Sequence, residues 1–241
     1  MGKNSPGGFE LVAYAVRKAG LKRGQRMLEI GCGEGETLHE LKERFGIRGS
    51  GVDKSAESVK RGKTRYPDAD IREGDADFLE FPIRTFDGVL LECTLSVAAM
   101  QTEVIHEAYC VLKDGGKLII SDLFAKASER EEGTSEAGQG SAEDVNGSLC
   151  DGGAGGLIDR EKLIALCEEI GFTELLWEDR TEDLKTFVAE KLMEHGSMEA
   201  YFASVVPEGA PTETFCKASG SGKKQGYFLL IMEKPKARVK S

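Results

Sequence analysis

The chain has 241 residues, of which 40% are hydrophobic and 31% are charged, with a formal net charge of -10. A chain of this length and composition can bury one sizeable core, and the composition excludes fibrous, collagen-like and wholly disordered proteins. The negative net charge argues against a nucleic-acid partner, because phosphate groups need a clustered positive field.

No apolar run approaches the roughly 20 residues that a helix needs to span a bilayer. The N-terminal stretch MGKNSPGGFE lacks the apolar core of a signal peptide. The six cysteines are scattered without a CxxC pair, which favours free thiols over a metal site or a disulfide framework. We therefore expect a cytoplasmic protein, folded as a single domain over residues 1–241, with no membrane partner and no metal.

The hydrophobic periodicity alternates between helical and extended segments along the first half of the chain. Residues 8–20 have apolar side chains at helical spacing and end in glycine, which predicts a leading helix. The runs GVLLE and KLIIS are near-continuously apolar, as in parallel strands covered on both faces. The predicted strands are Arg26–Ile30, Arg48–Val52, Ala69–Arg72, Asp87–Glu92 and Gly116–Ser121, and the predicted helices between them are Gly35–Phe45, Ser55–Tyr66 and Thr102–Leu112.

This alternation predicts an α/β fold with a doubly wound, mostly parallel sheet. Right-handed crossovers place the carboxyl ends of the parallel strands, and the loops after them, along one edge of the sheet. Ligands of such sheets bind at that edge. Functional residues are therefore expected in the loops that follow the predicted strands.

The composition changes over residues 125–156, where Val145 and Leu149 are nearly the only large apolar side chains. Such a segment cannot bury enough apolar surface to fold alone. Long loops in compact domains tend to be disordered or functional. The segment is therefore predicted to be a polar flexible insert or a lid over the strand ends.

Regular structure is predicted to resume after the insert. Asp159 is placed to cap a helix through Ile170, and Gly171 is placed to end it. Ile158 and Leu163 occupy the positions of a hydrophobic staple. The remaining predicted elements are a strand FTELLWE, an added helix Thr181–Glu194 with a loop in residues 181–226, and a last strand Tyr227–Glu233.

A glycine-rich turn follows the first predicted strand in the sequence LEIGCGEGETL. The dinucleotide fingerprint G-x-G-x-x-G needs a third small residue beside the pyrophosphate, and Glu36 stands at that position. The carboxylates of Glu29 and Glu34 would repel a pyrophosphate, but they suit a ligand with a cationic centre and an amino group. S-adenosylmethionine has both groups and no phosphate, so it is the predicted cofactor.

Acidic residues follow the next three predicted strands at intervals that fit this ligand. Asp53, next to Lys54, ends the second strand, where its carboxylate can accept hydrogen bonds from both ribose hydroxyls. Asp75 and the Ala76 backbone follow the third strand and could bind the adenine edge. Glu92 ends the fourth strand and is expected to face the methyl-transfer position. Each residue alone has a plausible structural role in a turn or cap, but their shared order favours a binding site.

Five motifs in this order resemble those of the class I S-adenosylmethionine-dependent methyltransferases, in the type 11 branch. The motifs are LEIGCGEGE, GVDKS, GDADFLEFP, FDGVLLE and LKDGGKLIISD. The resemblance implies a Rossmann-like sheet of seven strands whose last strand runs antiparallel. It also implies cofactor contacts at Glu29, Gly31, Gly33, Asp53, Asp75 and Ala76, which with Lys54 and Glu92 form the predicted cofactor site.

Methyl transfer from a sulfonium is an in-line displacement, so a catalytic base is optional. All three histidines lie within or at the end of predicted helices and are interpreted as structural, which favours a soft acceptor that needs no base. Cys32, Cys110 and Cys167 are interpreted as packing residues. Cys93 and Cys150 differ, because the first lies at the methyl-donor end of the fourth strand and the second lies in the polar insert.

The chain also partly resembles the arsenite methyltransferases, which have one cysteine after the fourth strand and another before a G-G-A turn. Cys93 and Cys150 match those places, and thiolates are soft ligands suited to a metalloid. With Glu92, they form the predicted catalytic set. That family also has cysteines upstream of the glycine turn, whereas no cysteine precedes Cys32 here. The general prediction is therefore a small-molecule acceptor, with arsenite as a specific alternative.

Two other functions remain open on the sequence. The chain could be a binding module that keeps the cofactor site without turnover, or a nicotinamide-dependent oxidoreductase, against which Glu36 argues. The added segment 181–226 could shape the acceptor pocket or a dimer contact, so a homodimer is also left open.

Overall fold

The computed structural model describes residues 5–126, 149, 156–205 and 225–236. The strands are β1 (Arg26–Ile30), β2 (Arg48–Asp53), β3 (Asp70–Glu73), β4 (Phe86–Glu92), β5 (Leu112–Ala125), β6 (Thr173–Asp179) and β7 (Gln225–Glu233). They form one seven-stranded sheet in the order β3-β2-β1-β4-β5-β7-β6. Pairing is parallel from β3 to β5, and β7 runs antiparallel to both of its neighbours. The predicted α/β fold and antiparallel last strand are confirmed.

The helices are α1 (Gly8–Lys18), α2 (Glu36–Glu40), α3 (Ala56–Arg65), α4 (Gln101–Val111), α5 (Arg160–Ile170), α6 (Thr181–His195) and α7 (Met198–Val205). The single helix predicted over Gly35–Phe45 is wrong in its second half, where α2 continues as a π-helical turn, Leu41–Phe45. Gly46 ends this turn with a φ of 63°, after which Ile47 is fully buried. α7 was not predicted.

β5 is much longer than the predicted strand Gly116–Ser121. It pairs with β7 from Lys117 opposite Glu233 to Ala125 opposite Gln225. This partner lies about a hundred residues away along the chain, so local periodicity carries no information about the length of the pairing. The same pairing places Gly226 inside β7 and not in the predicted loop.

The sheet separates two hydrophobic clusters, because successive side chains of a strand point to opposite faces. Leu28 and Ile30 of β1 belong to the first cluster, with α4 and α5. Met27 of the same strand belongs to the second, where it packs with Val16 and other side chains of α1. Helices therefore cover both faces, as the near-continuous apolar strands predicted.

The predicted boundaries of the helix after the insert are confirmed. Asp159 Oδ1 accepts a hydrogen bond from the Lys162 N–H at 3.0 Å, and Gly171 ends α5 with a φ of 115°. Ile158 and Leu163 are fully buried in the same cluster. This helix is anchored at the end that joins the insert.

Most of the predicted insert, residues 125–156, lies outside the described residues. Leu149 is described and buried, and its N–H donates to the Gln101 side-chain oxygen at 2.8 Å. Its carbonyl accepts from the Asp159 N–H at 2.9 Å. One point of the segment is thus tied to the start of α4 and to the cap of α5.

None of the described helices combines the length and the apolar character that crossing a bilayer requires.

Candidate functional site

The carboxyl ends of β1, β2 and β4 meet at the centre of the sheet, because β1 lies between the other two strands. The chain winds outward in opposite directions from β1 and β4. Doubly wound sheets bind ligands in the crevice at such a switch point.

The glycine turn after β1 is held against the end of β2. The N–H groups of Gly31 and Cys32 both donate to the Val52 carbonyl, at 2.8 Å and 3.1 Å. Gly31 has a φ of 78°, and a Cβ at this position would lie 2.3 Å from Thr94 Oγ1. Gly33 has a φ of 53°, yet a Cβ there would meet no atom within 4 Å. Gly31 therefore allows the turn to pack closely against Thr94, whereas Gly33 borders open space.

Asp53 connects the glycine turn to the end of β2. Its Oδ2 accepts from the Gly33 N–H at 2.8 Å, and its Oδ1 accepts from the Ser55 N–H at 2.8 Å. The helix cap of α3 is Ser55, whose hydroxyl accepts from the Ser58 N–H. Asp53 is thus oriented toward the turn. The neighbouring Lys54 side chain is exposed.

The predicted adenine residues lie beside this edge. The Gly74 N–H donates to the Asp53 carbonyl at 3.1 Å, which brings the loop after β3 next to the end of β2. Asp75 in this loop is exposed, whereas Ala76 is half-buried against the first cluster. The sheet therefore brings together the residues that the sequence placed after β1, β2 and β3.

Two carboxylates, Glu29 and Glu92, lie close together below the glycine turn. Glu29 is only 4% exposed, and its Oε2 has no hydrogen-bond partner among the described residues. Burial raises the pKa of Glu29, and the neighbouring charge of Glu92 raises it further. A hydrogen bond with Thr37 lowers the pKa by a smaller amount. Buried carboxylates are normally paired, because burial without a partner is costly. This site is suited to a cationic ligand.

Glu92 ends β4 and also carries a perturbed carboxyl group. Burial raises the pKa of Glu92 to about 7, although hydrogen bonds with Ser5 and Thr37 favour the charged form. The Ser5 hydroxyl donates to Glu92 Oε1 at 2.5 Å. The segment before α1 therefore closes over the end of β4.

Replacing Glu92 with glutamine is expected to stabilise the fold at alkaline pH. A carboxyl whose folded pKa is raised from 4.5 to about 7 contributes stability below the unfolded pKa, and this contribution is lost as pH rises to about 7. Glu92→Gln cannot ionise, so its free energy of unfolding relative to wild type should rise by about 1–3 kcal/mol between pH 5 and pH 8. Urea denaturation at both pH values measures this difference. A pH-independent difference would contradict the perturbed pKa.

Cys93 follows Glu92 in a strained conformation, with a φ of 50°. Its N–H donates to the Ser121 carbonyl at 2.8 Å, and its Sγ lies 3.3 Å from the Tyr227 hydroxyl oxygen. Burial raises the pKa of the Cys93 thiol well above its usual range, as do the charges of Asp122 and Glu92. The thiol is therefore neutral. Its predicted partner, Cys150, lies outside the described residues.

The packing role predicted for two other cysteines is confirmed. Cys32 is buried in a small cluster with Leu38, Val59 and Ile71, and burial raises the pKa of its thiol. Cys167 is fully buried in the first cluster. Cys110 is the exception, because it is only half-buried and lies 3.7 Å from His106 Nδ1.

The histidines take the structural positions that the sequence predicted. His39 lies in α2 and stacks on Tyr66 with ring centroids 4.7 Å apart. His195 is the last residue of α6 and contacts the ring of Tyr201.

Sequence reasoning missed several side chains that complete the site. Ser5 lies before the leading helix and Tyr227 in the last strand, and nothing local to either marks it as a site residue. Only Thr37 could have been found from the sequence, because it lies two residues after the last glycine of the turn. The missed residues are Ser5, Thr37, Thr94 and Tyr227.

A separate surface cavity of about 490 Å³ lies behind the glycine turn, between Glu34 and α3. Both of its carboxylates are already paired: Arg61 contacts Glu34 at 2.8 Å and Glu57 at 2.5 Å. This cavity therefore does not compete with the crevice at the strand ends as a cation site.

Comparison with known proteins identifies similar sequences. Residues 28–120 match a family model described as a methyltransferase domain. Phosphoethanolamine N-methyltransferase 1 of Triticum aestivum is 27% identical over 209 residues, which cover 85% of this chain and 40% of that protein. An arsenite methyltransferase of Aquipseudomonas alcaligenes is 29% identical over 116 residues, which cover 42% of this chain and 34% of that protein. The chain spans less than half the length of both relatives.

A solved structure shares the fold over almost the whole chain. It is phosphoethanolamine N-methyltransferase 2 of Haemonchus contortus in complex with S-adenosyl-L-methionine, with a TM-score of 0.68 and 21% identity. The match covers 96% of this chain and 54% of that one.

Proposed function

We propose that this chain is a class I S-adenosylmethionine-dependent methyltransferase, which transfers a methyl group from S-adenosylmethionine to a small-molecule acceptor; the match of residues 28–120 to a methyltransferase domain supports the proposal. The observation that carries the proposal is the arrangement at the switch point of the sheet. There the Gly33 N–H donates to Asp53, and the buried Oε2 of Glu29 has no hydrogen-bond partner among the described residues.

The residues present fit this cofactor group by group. The Oε2 of Glu29 is buried and has no hydrogen-bond partner in the part of the chain that the structure describes, so it can accept a hydrogen bond from the cofactor's amino group or lie near its sulfonium. Asp53 keeps free lone pairs for the ribose hydroxyls after bonding Gly33, and the loop with Asp75 and Ala76 borders the adenine position. When bound, S-adenosylmethionine supplies an electrophilic methyl group on a cationic sulfur. The protein then contributes alignment of the acceptor and exclusion of water.

A small acceptor fits the acidic character of the site better than a nucleic acid does. Glu29, Glu92 and Asp53 are all acidic, and none takes part in an ion pair among the described residues. Polyanions would be repelled from such a crevice. A cytoplasmic location and a homodimer stay predictions.

Arsenite is the alternative acceptor, supported by the partial resemblance and by the position of Cys93 at the end of β4. The Sγ of Cys93 lies 3.3 Å from the Tyr227 hydroxyl oxygen, and its predicted partner, Cys150, lies outside the described residues. The arsenite alternative therefore depends, among the described residues, on this one thiol.

Isothermal titration is expected to show that the purified chain binds S-adenosylhomocysteine and S-adenosylmethionine with micromolar affinity. NAD serves as the control ligand and should produce no binding heat, because Glu36 replaces the third small residue of the dinucleotide turn. Absence of heat with both adenosyl compounds would refute the proposed function. Binding of NAD alone would favour the oxidoreductase.

A further inference from the structure

We infer that the acceptor is a small amine that enters the site as an ammonium ion, and that Glu92 binds this ammonium group and accepts its proton. The inference rests on the proposed function, because it concerns the acceptor side of the same site. It replaces the soft acceptor that the sequence favoured.

Three acidic side chains lie in the crevice, those of Glu29, Asp53 and Glu92, and none of them is in an ion pair among the described residues. Under the proposed function, Glu29 and Asp53 bind the cofactor. Glu92 is then the carboxyl group left for the acceptor.

Glu92 is surrounded by hydrogen-bond donors and acidic groups. Ser5 and Thr37 donate hydrogen bonds to its carboxylate from the segment before α1 and from α2. Glu29 of β1 and Asp122 of β5 add negative charge on the same side. No cationic side chain faces Glu92 among the described residues, so an ammonium ion would be its first charged partner.

An aromatic side chain beside Glu92 favours the same ligand. Tyr227 of β7 is fully buried, and its hydroxyl lies 3.3 Å from Cys93 Sγ, next to Glu92 in sequence. Tyr201 of α7 is also buried, but the Lys191 ammonium already lies 5.3 Å from the centroid of its ring. Aromatic rings attract ammonium groups, and more strongly where water is excluded, so Tyr227 is the ring that a bound amine would contact.

The chemistry balances without a further reactant. The ammonium proton passes to the Glu92 carboxylate, and the freed nitrogen lone pair forms a bond to the methyl carbon. The carbon–sulfur bond breaks and its electron pair returns to sulfur, which leaves S-adenosylhomocysteine and an N-methylammonium product. Glu92 then releases its proton to water. The pKa of Glu92, raised by burial to about 7, suits a general base that acts near neutral pH.

The test measures methylation of amines in parallel with cofactor binding. The probes are ethylamine, ethanolamine and phosphoethanolamine, with ethylene glycol as the matched neutral compound and arsenite as the alternative acceptor. Wild type should form the N-methyl amine and leave ethylene glycol unmethylated. Glu92→Gln should lower kcat/KM for the best amine about 30-fold near neutral pH. Wild type should reach a plateau of kcat/KM above pH 7, whereas kcat/KM of the variant should keep rising toward pH 9, because only the free amine then reacts. The variant's affinity for S-adenosylhomocysteine should change less than threefold.

Glu57→Gln is the matched control, because Glu57 is an exposed carboxylate of α3 on the far side of the glycine turn. It should match wild type in both measurements. Wild type that binds S-adenosylhomocysteine but methylates arsenite, or none of the amines, overturns the inference and leaves the proposed function standing. Equal amine turnover by Glu92→Gln also overturns it. Failure to bind S-adenosylhomocysteine refutes the proposed function and the inference together.

Discussion

Replacing Gly31 with alanine is expected to abolish measurable binding of S-adenosylhomocysteine and to lower the free energy of unfolding by about 2–4 kcal/mol. The new Cβ would lie 2.3 Å from Thr94 Oγ1 and 2.8 Å from its methyl carbon, and the backbone has a φ of 78° that side chains disfavour. The chain can relieve both only by moving the turn away from Thr94. That movement would break the hydrogen bond from Gly31 to Val52 and displace Gly33.

Gly20→Ala separates the effect of backbone strain from that of close packing. Gly20 has a φ of 71°, but a Cβ there would meet no atom within 4 Å. This control should cost about 1 kcal/mol of stability and leave binding unchanged. Adding Thr94→Ala to Gly31→Ala should restore part of the lost stability. Titration calorimetry and urea denaturation measure both properties, and near-normal binding by Gly31→Ala would contradict the packing at this turn.

Replacing Asp53 with alanine is expected to weaken binding of S-adenosylhomocysteine about 100-fold, through the loss of one or two charge-assisted hydrogen bonds at about 1.5–3 kcal/mol each. The substitution also removes the acceptor of the Gly33 N–H, which holds the turn toward β2 at 2.8 Å. Both effects act on the cofactor and neither on the acceptor. The dissociation constant should therefore change by the same factor whether an amine is present or absent.

Asp53→Asn and Asp70→Asn provide the controls for this prediction. The asparagine at position 53 keeps one oxygen acceptor and should give an intermediate affinity. Asp70 lies at the amino end of β3, away from the carboxyl ends of the strands where the site lies, and accepts a hydrogen bond from Ser50. Its replacement should therefore leave the affinity unchanged. Unaltered binding by Asp53→Ala would remove the ribose contact from the proposed site.

The local signals in the sequence predicted the backbone well where an element depends on its own residues. The cap at Asp159, the termination at Gly171 and the glycine turn after β1 all act within a few residues, so their chemistry is visible in the sequence. The predicted end of β5 was wrong, because the last residues of this strand pair with β7, which lies far along the chain. The π-helical turn at Leu41–Phe45 was missed because it departs from the α-helical period on which the prediction relied.

The residues of the candidate site also fall into those that the sequence predicts and those that it does not. Glu29, Asp53 and Glu92 could be found because each stands at the end of a strand, and parallel strands end at one edge. Ser5 and Tyr227 could not be found, since they reach Glu92 and Cys93 across 87 and 134 residues of sequence. Such contacts depend on which strands become neighbours and on where α1 packs.

The sequence by itself determined the order of elements, the switch-point glycine turn and the acidic residues that make an adenosyl sulfonium the favoured cofactor. Only the tertiary structure decided which groups surround Glu92. Packing brings Glu29 and Glu92 together with no ion pair to either among the described residues, and burial raises the pKa of the Cys93 thiol beside Tyr227. Burial and charge proximity are properties of the packed chain, because they are set by residues from five strands and helices that no local pattern relates.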